Sequence, residues 1–446
     1  MRFRQKAIAA LEEAEVAAGL TPEAVEPAEV VPATAPEVEA DAGELVENVA
    51  EVEELVAATE ETENDVETLG EYQEIMQESV DAGTGLEPVA ANIADVAIES
   101  ISARLGFTSA QRTMPAMESF GQTGTRLSST KVALEALNDK IKRGLDAVLN
   151  FLKMVWDKIS GFIAGLLKSR ATLQKHIESL LARATEAKGK DVKPKEAKLK
   201  GGYAAAVSVD GKADKGTALE VLADSRNLLG LIGKISPVLN GTMGSSSDSL
   251  NAFVKKVADA AHSGVSSAFS GSKVAVEKGA EGVDYYGHLV NTKAIGVKTG
   301  EKDGVTELVV DVNATGKTAA EADALDAAGA EEVLKKALDL VKSLVQADKA
   351  EKDLKSAAKH AMDSVAGLAK AMDKMATEDG KVGPEVSASI KAMREVSGTI
   401  SKLSLQLPTL VFQGAKAAAD YASASLGNLK GEEAAAAPAE GGAAAA

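Results

Sequence analysis

Few residues are of the right type and spacing to do chemistry. A strand-like run at 305–312 (VTELVVDV) leads toward Gly316-Lys317-Thr318, the order in which a phosphate-binding loop meets its helix. Such a loop needs a glycine five positions before Gly316, so that the backbone can curl around phosphate, and here that position is Asp311, whose carboxylate repels it. The simpler reading is a turn in which Thr318 caps the helix that follows. His176, His262, His288 and His360 lie far apart, none with a partner four residues away, so no zinc pair or catalytic triad is singled out and they read as structural or surface groups. The chain has no cysteine, which excludes disulfides and thiolate metal sites and fits a reducing cytoplasm or a particle built in one. No pattern calls for a cofactor or metal, and the chain is read as non-enzymatic.

The remaining chemistry is cleavage of the chain itself. Residues 90–118 begin as an amphipathic helix and end in a loop with Pro115, because the residue before a proline is pushed out of the α region. The stretch 115–125 (PAMESFGQTGT) is therefore expected to be extended and accessible, as an endoprotease requires. It coincides with a reversal of charge. Residues 1–118 hold 27 Asp and Glu against 5 Lys and Arg, a net of −22 in a chain of −18, so the remainder carries +4. Within that remainder, residues 119–200 hold 17 basic and 8 acidic side chains, a net of +9, which leaves −5 for 201–446. Asymmetry on this scale marks an acidic arm joined to a body with different partners.

The elements that must position these residues are mostly helical. Prolines 22, 27, 32 and 36 and dense like charge predict disorder from about 20 to 45. Leu45, Val49, Val52, Val56, Val66, Leu69 and Ile75 predict a solvated, self-associating acidic helix from Glu44 to Val80. Residues 127–187 read as one long helix with a wide apolar stripe from Leu145 to Leu167, and Asn150, Lys153, Asp157, Lys158 and Lys168 on its other side. Each large side chain buried there is worth about 1.5–3 kcal/mol, so the stripe must meet a partner surface. Three readings stay open: packing within the fold or between copies, a membrane surface met by Phe151, Trp156 and Phe162, and nucleic acid met by the basic face.

The Lys-rich run 188–200 reads as a linker able to touch polyanions. Helices are expected at 216–238, 247–269, 319–347, 349–377, 383–404 and 410–426, with a hairpin turning at Lys302-Asp303-Gly304 within 288–313. The expected fold class is thus mainly α with a small β-hairpin, a helix-dominated α+β body behind a disordered or helical acidic N-terminal arm. Its parts are an arm at 1–118 read as a propeptide, a basic amphipathic segment at 119–187, a linker at 188–202, a separate helix-rich domain at 203–430 and an Ala-rich disordered tail at 431–446. Glu12, Glu13 and Glu15 interrupt the apolar run a secretory signal would need, and no run of about 18 apolar residues predicts a membrane span.

Ala116-Met117-Glu118 followed by Ser119-Phe120-Gly121, with an acidic segment before and a basic helix after, resembles the internal head proteins of large contractile-tailed phages over roughly residues 112–187. The resemblance implies a precursor co-assembled in the prohead and cut by a prohead protease after glutamate, in the order small or aliphatic residue, any residue, Glu. Ala116 would fill the first position, Glu118 would precede the cut and Ser119 would open the mature chain. The rule is also met at Glu12, Glu26, Glu37, Glu44, Glu60, Glu87 and Glu99 of the arm, with Glu87 and Glu99 as secondary sites, and at Glu135 and Glu186 of the body. The charge reversal and the Pro115 loop single out Glu118. Implied partners are the prohead protease, other capsid and prohead core proteins, further copies of the chain, and packaged DNA held without sequence preference, with Lys193, Lys195 and Lys198 as its contacts. The implied location is the capsid interior, after assembly in the host cytoplasm. The alternative is a membrane-active or ejected protein acting through helix 145–168.

Overall fold

The computed structural model describes residues 35–107, 113–189, 194–239, 246–271, 273–302, 305–344 and 384–429, with Ser356, Lys359, His360 and Asp363 between the last two stretches. Helix α1 (Ala35–Asp81) and helix α2 (Pro88–Arg104) form the acidic arm. A one-turn helix α3 (Glu118–Gly121) leads into α4 (Thr123–Gly189), whose 67 residues at 1.5 Å each span about 100 Å. Strand β1 (Lys198–Lys200) and a short α5 (Gly202–Ala206) precede α6 (Lys215–Leu239) and α7 (Ser247–Ala268). Strands β2 (Lys273–Val274), β3 (Tyr285–Leu289), β4 (Lys293–Lys302) and β5 (Val305–Ala314) form an antiparallel meander. Strand β6 (Glu321–Asp323), α8 (Ala327–Ser343), α9 (Pro384–Ser401) and α10 (Leu407–Gly427) complete the order, with a π-helical turn at Lys402–Gln406 joining the last two. Helix-dominated α+β is thus the observed class.

The central fact of the packing is that α1 lies along α4 for much of its length and also touches α9 and α10. Its buried positions recur every seven residues, at Val38, Leu45, Val52, Thr59, Val66 and Gln73, and three residues on from these, at Leu55, Thr62, Leu69 and Met76. This spacing keeps one stripe facing the same partner helix. The arm is therefore helical as expected from Glu44 to Val80, but it is packed rather than solvated, and the helix extends back through 35–43, where disorder was expected. Pro36 is compatible with that start because the first turn has no intrahelical use for its missing N–H. Val46 and Ile75 fall off the stripe and stay exposed.

Elsewhere along its length α4 packs against α8 and α10. Phe151, Trp156 and Phe162 are 5%, 0% and 1% exposed, so in the uncut chain the stripe is packed within the fold. Within residues 203–429, α8, α9 and α10 share one apolar core with α1 and α4. The expected linker ends at Pro194, which bridges Leu429, while Lys195 N–H donates to the Asn428 carbonyl at 2.8 Å. Strand β1 then pairs with β6, Lys198 opposite Asp323 and Lys200 opposite Glu321, with Leu199 and Ala322 buried on the other face.

The expected hairpin is β4–β5, running in register from Lys293↔Ala314 to Lys302↔Val305, and β3 and β2 extend it. Its turn at 303–304 lies outside the described residues, as do the tail from 430 and the expected helix 349–377 apart from the four residues named above. The helix expected from 319 starts instead at Ala327, because 321–323 are used as a strand against β1. Its N-cap is Asp326, whose Oδ1 accepts from Gly329 N–H at 2.7 Å, and Thr318 caps nothing. Among the described residues no helix is long and apolar enough to cross a membrane.

Gly144 shows how closely α1 and α4 approach. A Cβ there would sit 2.5 Å from Val66 Cγ2, whereas one on Gly161 of the same helix would meet nothing within 4 Å. Alanine gains about 1 kcal/mol over glycine in a helix interior, but forcing a methyl into a packed contact costs about 1–3 kcal/mol and valine has little rotamer freedom to yield. Gly144→Ala should therefore lower, and Gly161→Ala raise, the denaturant midpoint of the chain, each by the equivalent of about 1 kcal/mol.

Candidate processing site and the arm–body interface

Residues 113–126 form a bracket between two anchored side chains. Met114 is 4% exposed and Phe120 0%, and between them Ala116 and Glu118 face solvent while Met117 and Ser119 are half-buried. The segment is accessible as expected, but it is not extended. Ser119 N–H donates to the Ala116 carbonyl at 3.0 Å, Phe120 N–H to that of Met117 at 3.1 Å, and Ser119 Oγ to that of Ala116 at 2.6 Å. The cause lies downstream, where Phe120 inserts into the core and Arg126 Nε donates to its carbonyl at 3.0 Å, drawing 118–121 into a helical turn. A protease would have to straighten one turn held by i→i+3 bonds, a small local opening compared with unravelling a long helix.

The other matches in the arm sit differently. Glu44 and Glu60 lie inside α1 and Glu99 inside α2, while Glu37 is in the first turn of α1. Glu12 and Glu26 lie outside the described residues. Glu99 is also occupied: its Oε1 accepts from Thr113 N–H at 3.1 Å, Thr113 Oγ1 at 2.9 Å and Lys140 Nζ at 2.9 Å. Burial pulls its carboxyl up, and the Lys140 and Thr113 hydrogen bonds more than offset that, holding it below the ordinary carboxylate range. Glu87 is exposed in the 82–87 turn, but it precedes Pro88 and follows the buried Leu86, whose N–H donates to Thr130 Oγ1 at 2.9 Å. In the body, Glu135 and Glu186 lie within α4. Glu281 satisfies the same rule in a turn that sequence reading did not single out, where Ala280 N–H is held by the Tyr285 hydroxyl and Asp311.

Among the described residues, ion pairs join the two sides of the Glu118–Ser119 bond. Six of them are Glu39–Lys416 (3.2 Å), Glu51–Lys158 (2.5 Å), Glu63–Arg394 (2.7 Å), Glu67–Lys391 (2.7 Å), Glu87–Arg126 (2.5 Å) and Glu99–Lys140 (2.9 Å). Glu63 and Arg394 are each only 6% exposed in their side chains. Glu63 Oε1 has no hydrogen-bond partner, and burial pushes its carboxyl up to about 7 against the opposing pull of Arg394 and Lys391. An open cleft of about 420 Å³ lies between Val49 and Glu53 of α1, Lys293 and Val310 of the sheet, and Gln406.

The remaining singled-out residues come together nowhere. Lys193 is outside the described residues, Lys195 is exposed, and Lys198 is exposed but paired with Asp323. Gly316 has φ +108°, Lys317 packs on Gly211, and a strand rather than a helix follows, so the row of N–H groups that would cradle phosphate is not built. Asp311 is taken up by Tyr285 and Asn313. His262 Nδ1 lies 3.0 Å from the Val297 carbonyl, and His288 donates its backbone N–H to Asp224 at 2.6 Å. No cluster of three or more metal-ligating side chains occurs among the described residues.

A family model described as phiKZ-like phage internal head proteins matches residues 37–424. The match starts in the first turn of α1, ends in the last turns of α10 and crosses Glu118/Ser119, so it treats arm and body as one unit. No curated protein and no solved structure matches the chain.

Glu63 gives the interface a pH dependence of defined sign. A carboxyl raised from 4.5 to about 7 binds its proton more tightly in the folded chain, so its contribution to stability grows as pH falls from about 7 to 4.5. Across that window it amounts to about 3 kcal/mol. Glu63→Gln cannot titrate, and urea denaturation at intervals between pH 4.5 and 7.5 should show this component of the slope gone.

Proposed function

The chain belongs to the phiKZ-like phage internal head proteins, and from that we propose that it is made as a precursor, cut after Glu118 by the prohead protease, and kept as a body inside the capsid alongside packaged DNA. Family membership makes it a structural protein of the virion, located in the head interior. The observation that carries the finer reading is the coincidence at one peptide bond of three properties. The net charge changes from −22 to +4 across it, Ala116 and Glu118 on its N-terminal side are exposed, and it lies in a single helical turn rather than inside a long helix.

Each property has a physical consequence for a filled head. An acidic segment beside DNA raises the repulsion and takes up volume, whereas a body of +4 with a basic first segment can share the space. Lys195 and Lys198 lie on the surface where phosphate could reach them, and such contact would be insensitive to sequence and weakened by salt. Of the six cations paired with the arm, Arg126, Lys140, Lys158 and Lys391 add to that basic surface once the arm is gone, while Arg394 and Lys416 keep Glu395 and Asp420 of the body. Self-association, contact with other core proteins and the absence of an enzymatic role complete the proposal.

N-terminal sequencing of the protein from purified particles should begin at Ser119, and Glu118→Gln should leave the precursor uncut. Met1 or an intact acidic arm on the particle protein would overturn the scheme.

A further inference from the structure

We infer that cutting after Glu118 does not release the arm: the severed segment stays seated on the body as a second chain, and leaves only when α1 itself is unfolded or cut. This rests on the proposed cleavage and adds a step after it.

The contacts that order the arm do not run through the peptide bond that would be cut. Ten positions of α1 are buried in the stripe from Val38 to Met76, and Ala91, Ala94, Ile98 and Ile101 of α2 are buried beside them. The partner helices of α1 are α4, α9 and α10, all C-terminal to Ser119, while α2 packs on α1 and on the turn α3 and reaches α4 through Glu99 and Lys140. Val66 fits against Gly144, a contact that glycine permits and no tether enforces. The six ion pairs also straddle the cut, and the cations of two of them, Lys140 and Arg394, are only 6% exposed. Cleavage removes the high local concentration that a covalent link provides, but it leaves every one of these contacts in place.

Seating also protects the arm from further cutting. Ala42-Gly43-Glu44, Ala58-Thr59-Glu60 and Ala97-Ile98-Glu99 lie in helices, whereas a protease takes its substrate extended. Glu99 is further held by Thr113 and Lys140, and Glu87 offers a bond to proline. The order of events follows: the bond after Glu118 opens before those after Glu44, Glu60 and Glu99, which open once the arm has been lifted from α4.

The test uses the full chain with the recognition sequence of an unrelated site-specific protease inserted between Glu118 and Ser119. After complete cutting, the two pieces are followed by size-exclusion chromatography and mass spectrometry in physiological salt and in 1 M NaCl, where screening acts over only about 3 Å. The expected result is one-to-one co-elution in both, because the apolar stripe persists when the exposed ion pairs are screened. Separation of the pieces in either buffer overturns the inference. Leu69→Asp should release the arm after cutting, with the uncut variant checked for parental helix content. Because a foreign protease makes the cut, the outcome is independent of where the particle protein begins, so failure of retention and failure of the processing scheme are told apart.

Discussion

A helix about 100 Å long with apolar side chains around much of its girth cannot stand in water, and covering α4 is the constraint on which the rest of this structure depends. No single neighbour covers it. Helices α8 and α10 take one part of the surface, and α1 lies along another. The arm is ordered because α4 needs it, and α4 is buried because the arm is there. The same logic draws 203–429 into a common core, since α9 packs on α1 as well as on the sheet and α7.

Charge follows packing in this molecule. Taken separately, an arm of −22 would repel itself and a segment of +9 would seek an anion. In the fold the carboxylates of the arm meet Arg126, Lys140 and Lys158 of that segment and Lys391, Arg394 and Lys416 beyond it, the last 377 positions from Glu39. Most of these pairs are partly exposed and contribute little individually. Glu63 with Arg394 is the exception in burial, and the unpartnered Oε1 and raised pKa of Glu63 show what that burial costs. A shift of one turn between α1 and α9 would leave the Glu63 carboxyl buried without Arg394, which keeps Glu395 of its own helix at 3.0 Å.

The region around Glu118 acquires its meaning from its neighbours. The tripeptide rule is met many times in a chain this rich in alanine and glutamate, and the fold sorts the matches by how much structure must open before each can be cleaved. Glu44, Glu60 and Glu99 demand the loss of helical turns that carry buried side chains, while Glu118 demands the loss of one turn hinged on Phe120. Accessibility and attachment are here separate properties: the bond is exposed, and the segment before it is firmly seated.

Much of the fold was legible in the sequence. Helical spacing located α4, α6, α7, α9 and α10, and β-branched alternation located the β4–β5 hairpin, because these patterns are periodic over enough residues to admit one structure. The seam at Glu118/Ser119 was legible for a similar reason, being a difference in composition between long segments. What stayed hidden was the partner of each face. The buried stripe of α1 includes Thr59, Thr62 and Gln73, polar residues outside the apolar pattern that predicted the helix, although the two threonine hydroxyls satisfy themselves on the carbonyls of Leu55 and Ala58 and so can be buried. Ile75 belongs to that apolar pattern and is exposed. Likewise, the strand at 321–323 exists because β1 lies beside it, and no local signal could distinguish it from the start of a helix. The sequence alone determined which segments are helical and where their charge reverses, since both are sums over neighbours along the chain. Only the tertiary structure decided that the acidic arm belongs to the core, because burial depends on contacts with α4, α9 and α10 that are distant in sequence and set by the shape of all four helices together.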